Sequence, residues 1–478
     1  MYKQNVRYLH TFLSPTKFLA SSFCCQNQYN RLYIRKDCLD YAKYSLIGLT
    51  MNRYTMKKVL TLAALGTVLL SSTAMAAGFH LREQSAAAQG NAFAGATAGA
   101  ENNSYAYYNV AGLTRIKGTQ FSGGGTYIAP KAAAKNVRDA QTGERGADVQ
   151  NVVHAAVSPY FTISHQVNDK LFIGLAGNSP YGMITKYDRD WIGGDHGITS
   201  DIKTATFTPM AAYKVTDKLS LGVGMQIQYV WAHLTSSSSR VGASNVNVKG
   251  DALDFGYQLG AMYEFTPSTR IGVGYRSQIQ HKIRGDIQSP LAQAHPAYYL
   301  LNQDISAKLT TPSMLSFGVY HDVNERLALM AEYQRVFWSS FRELTFVSRE
   351  TPARHNPATP AYISQVHERW RDTNFYAIGT SYMLDEQWKL RLGLGYDQSA
   401  VRLKHRTPRI PDSDRVWYSA GLGYQYNEKL SFDAGFTYIA ARDAHIDTRL
   451  NGNDPARHIT ADYSNSVKVF SFGLTYNF

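Results

Sequence analysis

The 478-residue chain lacks any long apolar run. Val59 to Leu70 falls short of the roughly 20 residues that a helix needs to cross a bilayer, and no later segment reaches that length, so helical spans are not expected. Cysteine is confined to Cys24, Cys25 and Cys38, and the rest of the chain cannot form a disulfide, which is compatible with an oxidising compartment. Charge is sparse at 18 %, and the net +13 is misleading. Residues 1–76 hold ten of the 49 Lys/Arg and two of the 36 Asp/Glu, so the remainder carries only +5. Scattered charges of that kind suit loops and a lumen, and nothing calls for nucleic acid. No Gly-x-Ser-x-Gly or His-Glu-x-x-His occurs and the fourteen His are scattered, so no enzyme, cofactor or metal site is expected.

Tyr (33) and Gly (37) are abundant instead, and side chains alternate with a period of two from residue 119 onward. Leu219, Leu221, Val223, Met225 and Ile227 alternate with Ser220, Gly222, Gly224 and Gln226. Trp388, Leu390, Leu392 and Leu394 alternate with Lys389, Arg391 and Gly393. Phe470, Phe472 and Leu474 alternate with Ser471 and Gly473. Successive side chains on a strand point to opposite faces, so one face is apolar and the other carries charges and amides. Lipid would cover the apolar face.

Fourteen such segments are present: 119–128, 152–164, 171–178, 203–215, 219–234, 252–265, 270–283, 305–323, 327–338, 373–384, 388–398, 415–426, 430–440 and 467–478. Most match the roughly 9–11 residues of a tilted transmembrane strand. Short connectors of turn-forming residues (167–170, 216–218, 266–269, 324–326, 385–387, 427–429) alternate with long ones. Short periplasmic turns and long outer loops define an all-β fold, a 14-stranded antiparallel transmembrane β-barrel of the bacterial outer membrane. An aromatic last residue, Phe478, suits the barrel assembly machinery, and outer-membrane lipid and lipopolysaccharide would surround a monomer. Tyr181, Tyr187, Trp191, Tyr229, Trp231, Trp338, Trp388, Trp417 and Tyr418 cluster near strand ends, where lipid-facing members would form an interfacial girdle.

Met56-Lys57-Lys58, the apolar Val59 to Leu70 and Ala74-Met75-Ala76 form a secretory signal over residues 56–76. Residues 1–55 read as an upstream extension, with true initiation at Met51 or Met56. Residues 77–118 precede the barrel at 119–478 without alternation. They are rich in Ala and Gly, and no Gly-Lys-Ser/Thr follows that would make a phosphate loop. Phe79, Phe93, Tyr105, Tyr107 and Tyr108 favour an N-terminal plug packed in the barrel over a disordered tail.

Ala77-Gly78-Phe79-His80-Leu81, the Gly/Ala-rich run and Tyr108-Asn109-Val110-Ala111-Gly112-Leu113 resemble the hatch of FadL-type long-chain fatty acid transporters. Arg391-Leu392-Gly393-Leu394-Gly395-Tyr396-Asp397 and the run from Ile410-Pro411-Asp412 through Arg415-Val416-Trp417 extend the resemblance, which covers essentially 77–478. It implies capture of a long-chain fatty acid or other hydrophobic molecule at the outer loops. Passive release would follow, through hatch rearrangement and a gap in the wall at a kinked third strand. The family's Asn-Pro-Ala reads Asn109-Val110-Ala111 here, which frees the backbone at that turn. The third segment runs into Ser179-Pro180-Tyr181-Gly182, where proline cannot donate to a ladder; an interrupted pairing there would supply the gap, or Pro180 would simply begin the outer loop. Phe79 matches a position that reaches the binding channel, and Arg371 falls where the family places a cation for the ligand head. Leu291, Tyr298, Tyr299, Leu300, Leu301 and Phe346 could offer an apolar capture surface. An aromatic-hydrocarbon transporter of the same family and a general porin are the alternatives. Mass spectrometry of the mature protein should give Ala77 as its first residue; a start before Met51 would show a retained leader.

Overall fold

The computed structural model describes residues 78–238, 244–294, 296–353, 356–449 and 458–478. The cysteines, the 1–55 extension, the 56–76 signal and Ala77 lie outside the described residues. Fourteen strands make the wall: β1 (Thr119–Asp139), β2 (Ala156–Gln166), β3 (Leu171–Asn178), β4 (Thr199–Lys214), β5 (Leu219–Ser238), β6 (Ser244–Thr266) and β7 (Thr269–Arg276). They continue as β8 (Met314–Asp322), β9 (Leu327–Val336), β10 (Thr373–Met383), β11 (Trp388–Asp397), β12 (Arg415–Gln425), β13 (Leu430–Ala441) and β14 (His458–Asn477). Each pairs antiparallel with the next, and β14 returns to β1 from Gln120↔Asn477 to Asp139↔Ile459. Closure leaves no open edge, so the backbone donors and acceptors of the wall find partners without water.

The alternation sets the two faces. Leu221, Val223 and Met225 are 46 %, 52 % and 48 % exposed, whereas Gln226 and Gln228, on the alternate positions that follow, are buried. Leu392, Leu394, Phe470 and Phe472 likewise face out. Two expected strands differ. The 270–283 and 305–323 segments each break, at Ser277–Gln278 and at Pro312–Ser313, and their outer halves become separate strands, Ile279–Gln288 and Asn302–Thr311. Pro312 has no N–H to donate. Ser277 takes over the ladder locally, its N–H donating to the Tyr257 carbonyl and its hydroxyl accepting from the Tyr257 N–H, both at 2.9 Å. The girdle expectation also needs correction. Tyr181, Tyr187, Trp191, Trp338 and Trp417 are buried in the interior, because apolar packing partners await them there. Tyr418, 49 % exposed, does face outward.

Residues 78–116 are buried almost throughout, against the inward face of strands all round the barrel. Two short helices, Ala86–Gly90 and Ala96–Gly99, and two 3-10 turns, Asn103–Tyr107 and Val110–Arg115, carry the chain. Ala92 and Phe93 adopt positive φ (51° and 61°) at a corner pinned by Asn91, whose amide donates to the Thr380 carbonyl at 2.6 Å. A Cβ on Gly393 would fall 2.1 Å from the Asn91 carbonyl carbon, and one on Gly260 would fall 2.1 Å from Asn109 Oδ1. Inward glycines thus admit the segment at close approach.

Charge ties it in as well. Glu101 accepts from Arg391 at 2.9 Å and Lys389 at 3.1 Å, while Arg391 also meets Asp433 at 2.9 Å. Arg270 donates to the carbonyls of Ala98 and Gly99, both at 2.7 Å. Removing one partner of a buried ionic cluster costs about 3–5 kcal/mol. Glu101→Leu should therefore lower the thermal unfolding midpoint of the detergent-solubilised protein and speed protease cleavage within 78–116. Unchanged values would show that the segment is held by packing alone.

Candidate functional site

Above the Gly/Ala-rich segment lies an apolar cavity of ≈ 700 Å³, open mouth included. Its wall is Met183, Ile202, Leu234, Ile283, Ile305, Leu309, Phe341, Leu344 and Phe346, and Phe79 forms part of it from the N-terminal segment. The outer strands supply these residues through the same alternation. Ile279, His281 and Ile283 point inward, and so do Ile305, Ala307 and Leu309. Phe79 is fully buried in an aromatic cage, with ring centroids 4.9 Å from Trp338, 5.8 Å from Phe341 and Trp370, and 5.9 Å from Tyr181.

Besides the exposed Lys249 at its rim, two ionisable side chains interrupt the apolar lining. Arg409 is held by the carbonyl of Thr199 and the hydroxyl of Ser200, both at 2.8 Å, and by the carbonyl of Thr235 at 3.1 Å. Burial pulls its pKa down to about 10, partly offset by Glu368, and it stays cationic at neutral pH. Glu368 accepts from Trp370 Nε1 at 2.8 Å, and burial pushes its carboxyl up to about 7 despite that bond and the field of Arg409. An apolar chamber with a fixed cation suits an elongated amphiphile with an acidic head.

Beside the chamber the wall is interrupted. The β2–β3 ladder ends at Phe161↔Gly177, and pairing between the same stretches resumes only at Val153↔Thr185. In between, the chain of Ser179, Pro180 and Tyr181 turns inward. The Leu81 N–H donates to the Pro180 carbonyl at 2.7 Å and the Gly182 N–H to the Phe79 carbonyl at 2.8 Å, with a bridge His80↔Tyr181. Thr204 keeps the β4 side closed, its hydroxyl donating to the Tyr181 carbonyl at 2.7 Å. A small pocket at this interruption is lined by Pro159, Tyr160, Phe161, Ser179, Ala205 and Phe207, among others. Gln84 spans it from within. Its amide donates to the Ser179 carbonyl at 2.9 Å and to the Ser158 hydroxyl at 3.4 Å, and its oxygen accepts from the Ser179 N–H at 3.3 Å.

Of the residues singled out by sequence, the structure brings together Phe79, Ser179, Pro180, Tyr181 and Gly182. Asn109, Val110 and Ala111 lie elsewhere, packed against β5 and β6. Asn109 caps the turn, accepting from the Ala111 N–H at 3.0 Å and donating to the Thr97 carbonyl at 2.7 Å. Val110 therefore occupies the first position of a helical turn, where a proline is tolerated because that N–H has no internal partner. Arg371 lies off the cavity. It is half exposed, donates to the Ser399 carbonyl at 3.0 Å and faces Asp414 at 3.7 Å. Among the expected loop residues, Phe346 lines the chamber, Leu291 is buried and Tyr299 is exposed. Sequence reasoning missed Arg409, Glu368 and Gln84. The first lies directly before the quoted Ile410-Pro411-Asp412 run, and the last lies five residues after Phe79.

The fold, the lipid-facing rows and the apolar chamber define a class: an outer-membrane β-barrel that transports hydrophobic molecules rather than an enzyme. The chain belongs to the outer membrane protein transport protein family (OMPP1/FadL/TodX), which it matches over residues 67–478. It is 27 % identical to outer membrane protein P1 of Haemophilus influenzae over 466 residues, covering 87 % of this chain and 98 % of that protein. It is 26 % identical to the long-chain fatty acid transport protein of Escherichia coli K12 over 454 residues, covering 87 % and 97 %. A FadL homologue of Pseudomonas aeruginosa superposes with TM-score 0.75 at 25 % identity, over 84 % of this chain and 100 % of that one. The Pseudomonas putida toluene transporter TodX shares the fold at 17 % identity and TM-score 0.57, over 84 % and 99 %. Gln84→Ala should raise the steady conductance of the protein in planar bilayers. Conductance equal to wild type would place the seal elsewhere.

Proposed function

We propose that the protein takes up long-chain fatty acids or closely similar amphiphiles, storing them in the chamber and releasing them sideways through the opening beside Pro180. One observation carries this reading: residues 79–84 serve both places. Phe79 lines the chamber, and Gln84 bars the opening. The acyl chain lies against Ile283, Leu309 and Phe346, and its carboxylate meets Arg409. A ligand that displaces Phe79 from its aromatic cage pulls on the Leu81–Pro180 and Gly182–Phe79 bonds, draws Gln84 from Ser158 and Ser179, and moves the plug formed by 78–118 enough to clear the gap. No energy source is needed beyond the ligand gradient. The partly buried cation favours a carboxylate over an aromatic hydrocarbon, which offers it no head group.

Ala205→Trp, which fills the opening, should abolish oleate uptake in cells while purified protein still binds oleate. Undiminished uptake would rule out lateral release. Arg409→Met should weaken oleate binding at least tenfold and leave toluene binding unchanged; equal losses would reject the head-group assignment. The pH dependence has a defined sign. Below about 7 Glu368 is neutral and donates or tolerates the ligand carboxylate; above about 7 it ionises and repels it. Oleate affinity should therefore fall as pH rises from 6 to 8, and Glu368→Gln should flatten that profile.

A further inference from the structure

The outward face of the same loop sheet carries chemistry that the chamber does not use. Ile279–Gln288 pairs with Asn302–Thr311, which pairs in turn with Glu343–Ala353. Inward residues of this sheet line the chamber, and the alternate residues face out. Those include Lys282, Arg284, Lys308 and Arg349, and with Arg342 they border a groove of ≈ 1390 Å³, open side included. Five basic residues and one acid, Glu343, line it. Glu343 is engaged by Thr345 at 3.0 Å and Gln365 at 2.8 Å, and Arg349 by Asp304 at 3.1 Å. Arg284 has Asp251 as its cross-strand partner. Asp254, on β6, accepts from the Lys282 backbone N–H at 3.2 Å and faces His281 at 3.3 Å. Lys282, Lys308 and Arg342 have no carboxylate within 4 Å among the described residues.

Lys282 and Lys308 are direct cross-strand partners on one face. Like charges so placed destabilise a sheet unless an anion lies between them. Their height is equally telling. The β7–β8 ladder stops at Arg276↔Met314, and the exposed apolar row of β6 runs past it through Tyr257, level with Ser277, to end at Phe255 two residues further out. The next ladder opens at Ile279↔Thr311, and Lys282 lies three residues further, about 10 Å on at the strand rise. A basic cluster just above the hydrocarbon band, on the side of the long loops, faces the head groups of the outer leaflet.

We infer that this groove binds a phosphorylated glycolipid head group of the outer leaflet, with a phosphate seated between Lys282 and Lys308 and flanked by Arg342. Phosphate gives the multiple acceptor oxygens that such a cluster satisfies. The flanking Val347, Pro360 and Tyr362 offer apolar surface to the sugar faces.

The test uses full-length protein in nanodiscs containing bisphosphorylated lipid A, its monophosphorylated form, or phosphatidylglycerol, with bound lipid read by native mass spectrometry. Inorganic phosphate serves as competitor. K282Q/K308Q/R342Q is compared with wild type, with heat modifiability and oleate affinity as controls for folding. The inference expects bisphosphorylated lipid A to bind at least tenfold more tightly than phosphatidylglycerol. It also expects the triple variant to lose that preference while oleate affinity holds, with inorganic phosphate competing only at millimolar levels. Equal lipid A binding by variant and wild type overturns it. So does indifference to phosphate number, or loss of oleate affinity with lipid A binding intact, which would assign the groove to the transport route. Displacement by micromolar inorganic phosphate would make it a free-anion site and overturn the glycolipid assignment.

Discussion

Closure of the hydrogen-bonded ladder is the constraint on which everything else rests. In hydrocarbon an unpaired backbone group costs several kcal/mol, so β14 must return to β1 before the wall is tolerable. Once the ring closes with fourteen strands, alternate side chains are forced into a lumen that cannot pack itself shut. Glycines at inward positions such as Gly222, Gly260 and Gly393 leave that lumen wider still. The segment 78–116 takes up the space, and its fit explains the glycines: Cβ atoms at those positions would collide with Ala111, Asn109 and Asn91.

A filled lumen changes what the wall must do. On the proposed reading the interruption between β2 and β3 is the way out. That interruption is not left unsatisfied. The inward turn at Pro180 pairs with residues 79–81, and Gln84 supplies three hydrogen-bonding contacts where strand neighbours are missing. The interruption is therefore bridged by the same short stretch, residues 79–84, that reaches the chamber. Glycines and proline at Gly177 and Pro180 make the kink sterically accessible; the N-terminal segment makes it stable.

Much of the wall was legible because lipid exposure is a local property: each outward residue must be apolar whatever its distant neighbours. All fourteen strands follow from alternation. The errors fall where that rule stops applying. At 277–278 and 312–313 the strands break while alternation continues for the sake of the chamber, and only the pairing reveals the break. Trp338 and Trp417 resemble girdle residues in sequence, yet they pack inward, because strand phase near a loop depends on how the loop folds.

The site was less legible for the same reason. Phe79 and the Ser179-Pro180-Tyr181-Gly182 turn could be named from the chain and its resemblance. Arg409, Glu368 and Gln84 could not, since their roles arise from contacts between residues some 40 to 210 positions apart in sequence, from Glu368 with Arg409 to Arg409 with Thr199. By itself the sequence determined the barrel, its strand number and its orientation toward lipid, through a two-residue period that solvent and bilayer read directly. Only the tertiary structure decided where the chamber lies, that Arg409 lines it and what bridges the break between β2 and β3, because those depend on which side chains meet across a lumen, and no local period encodes that.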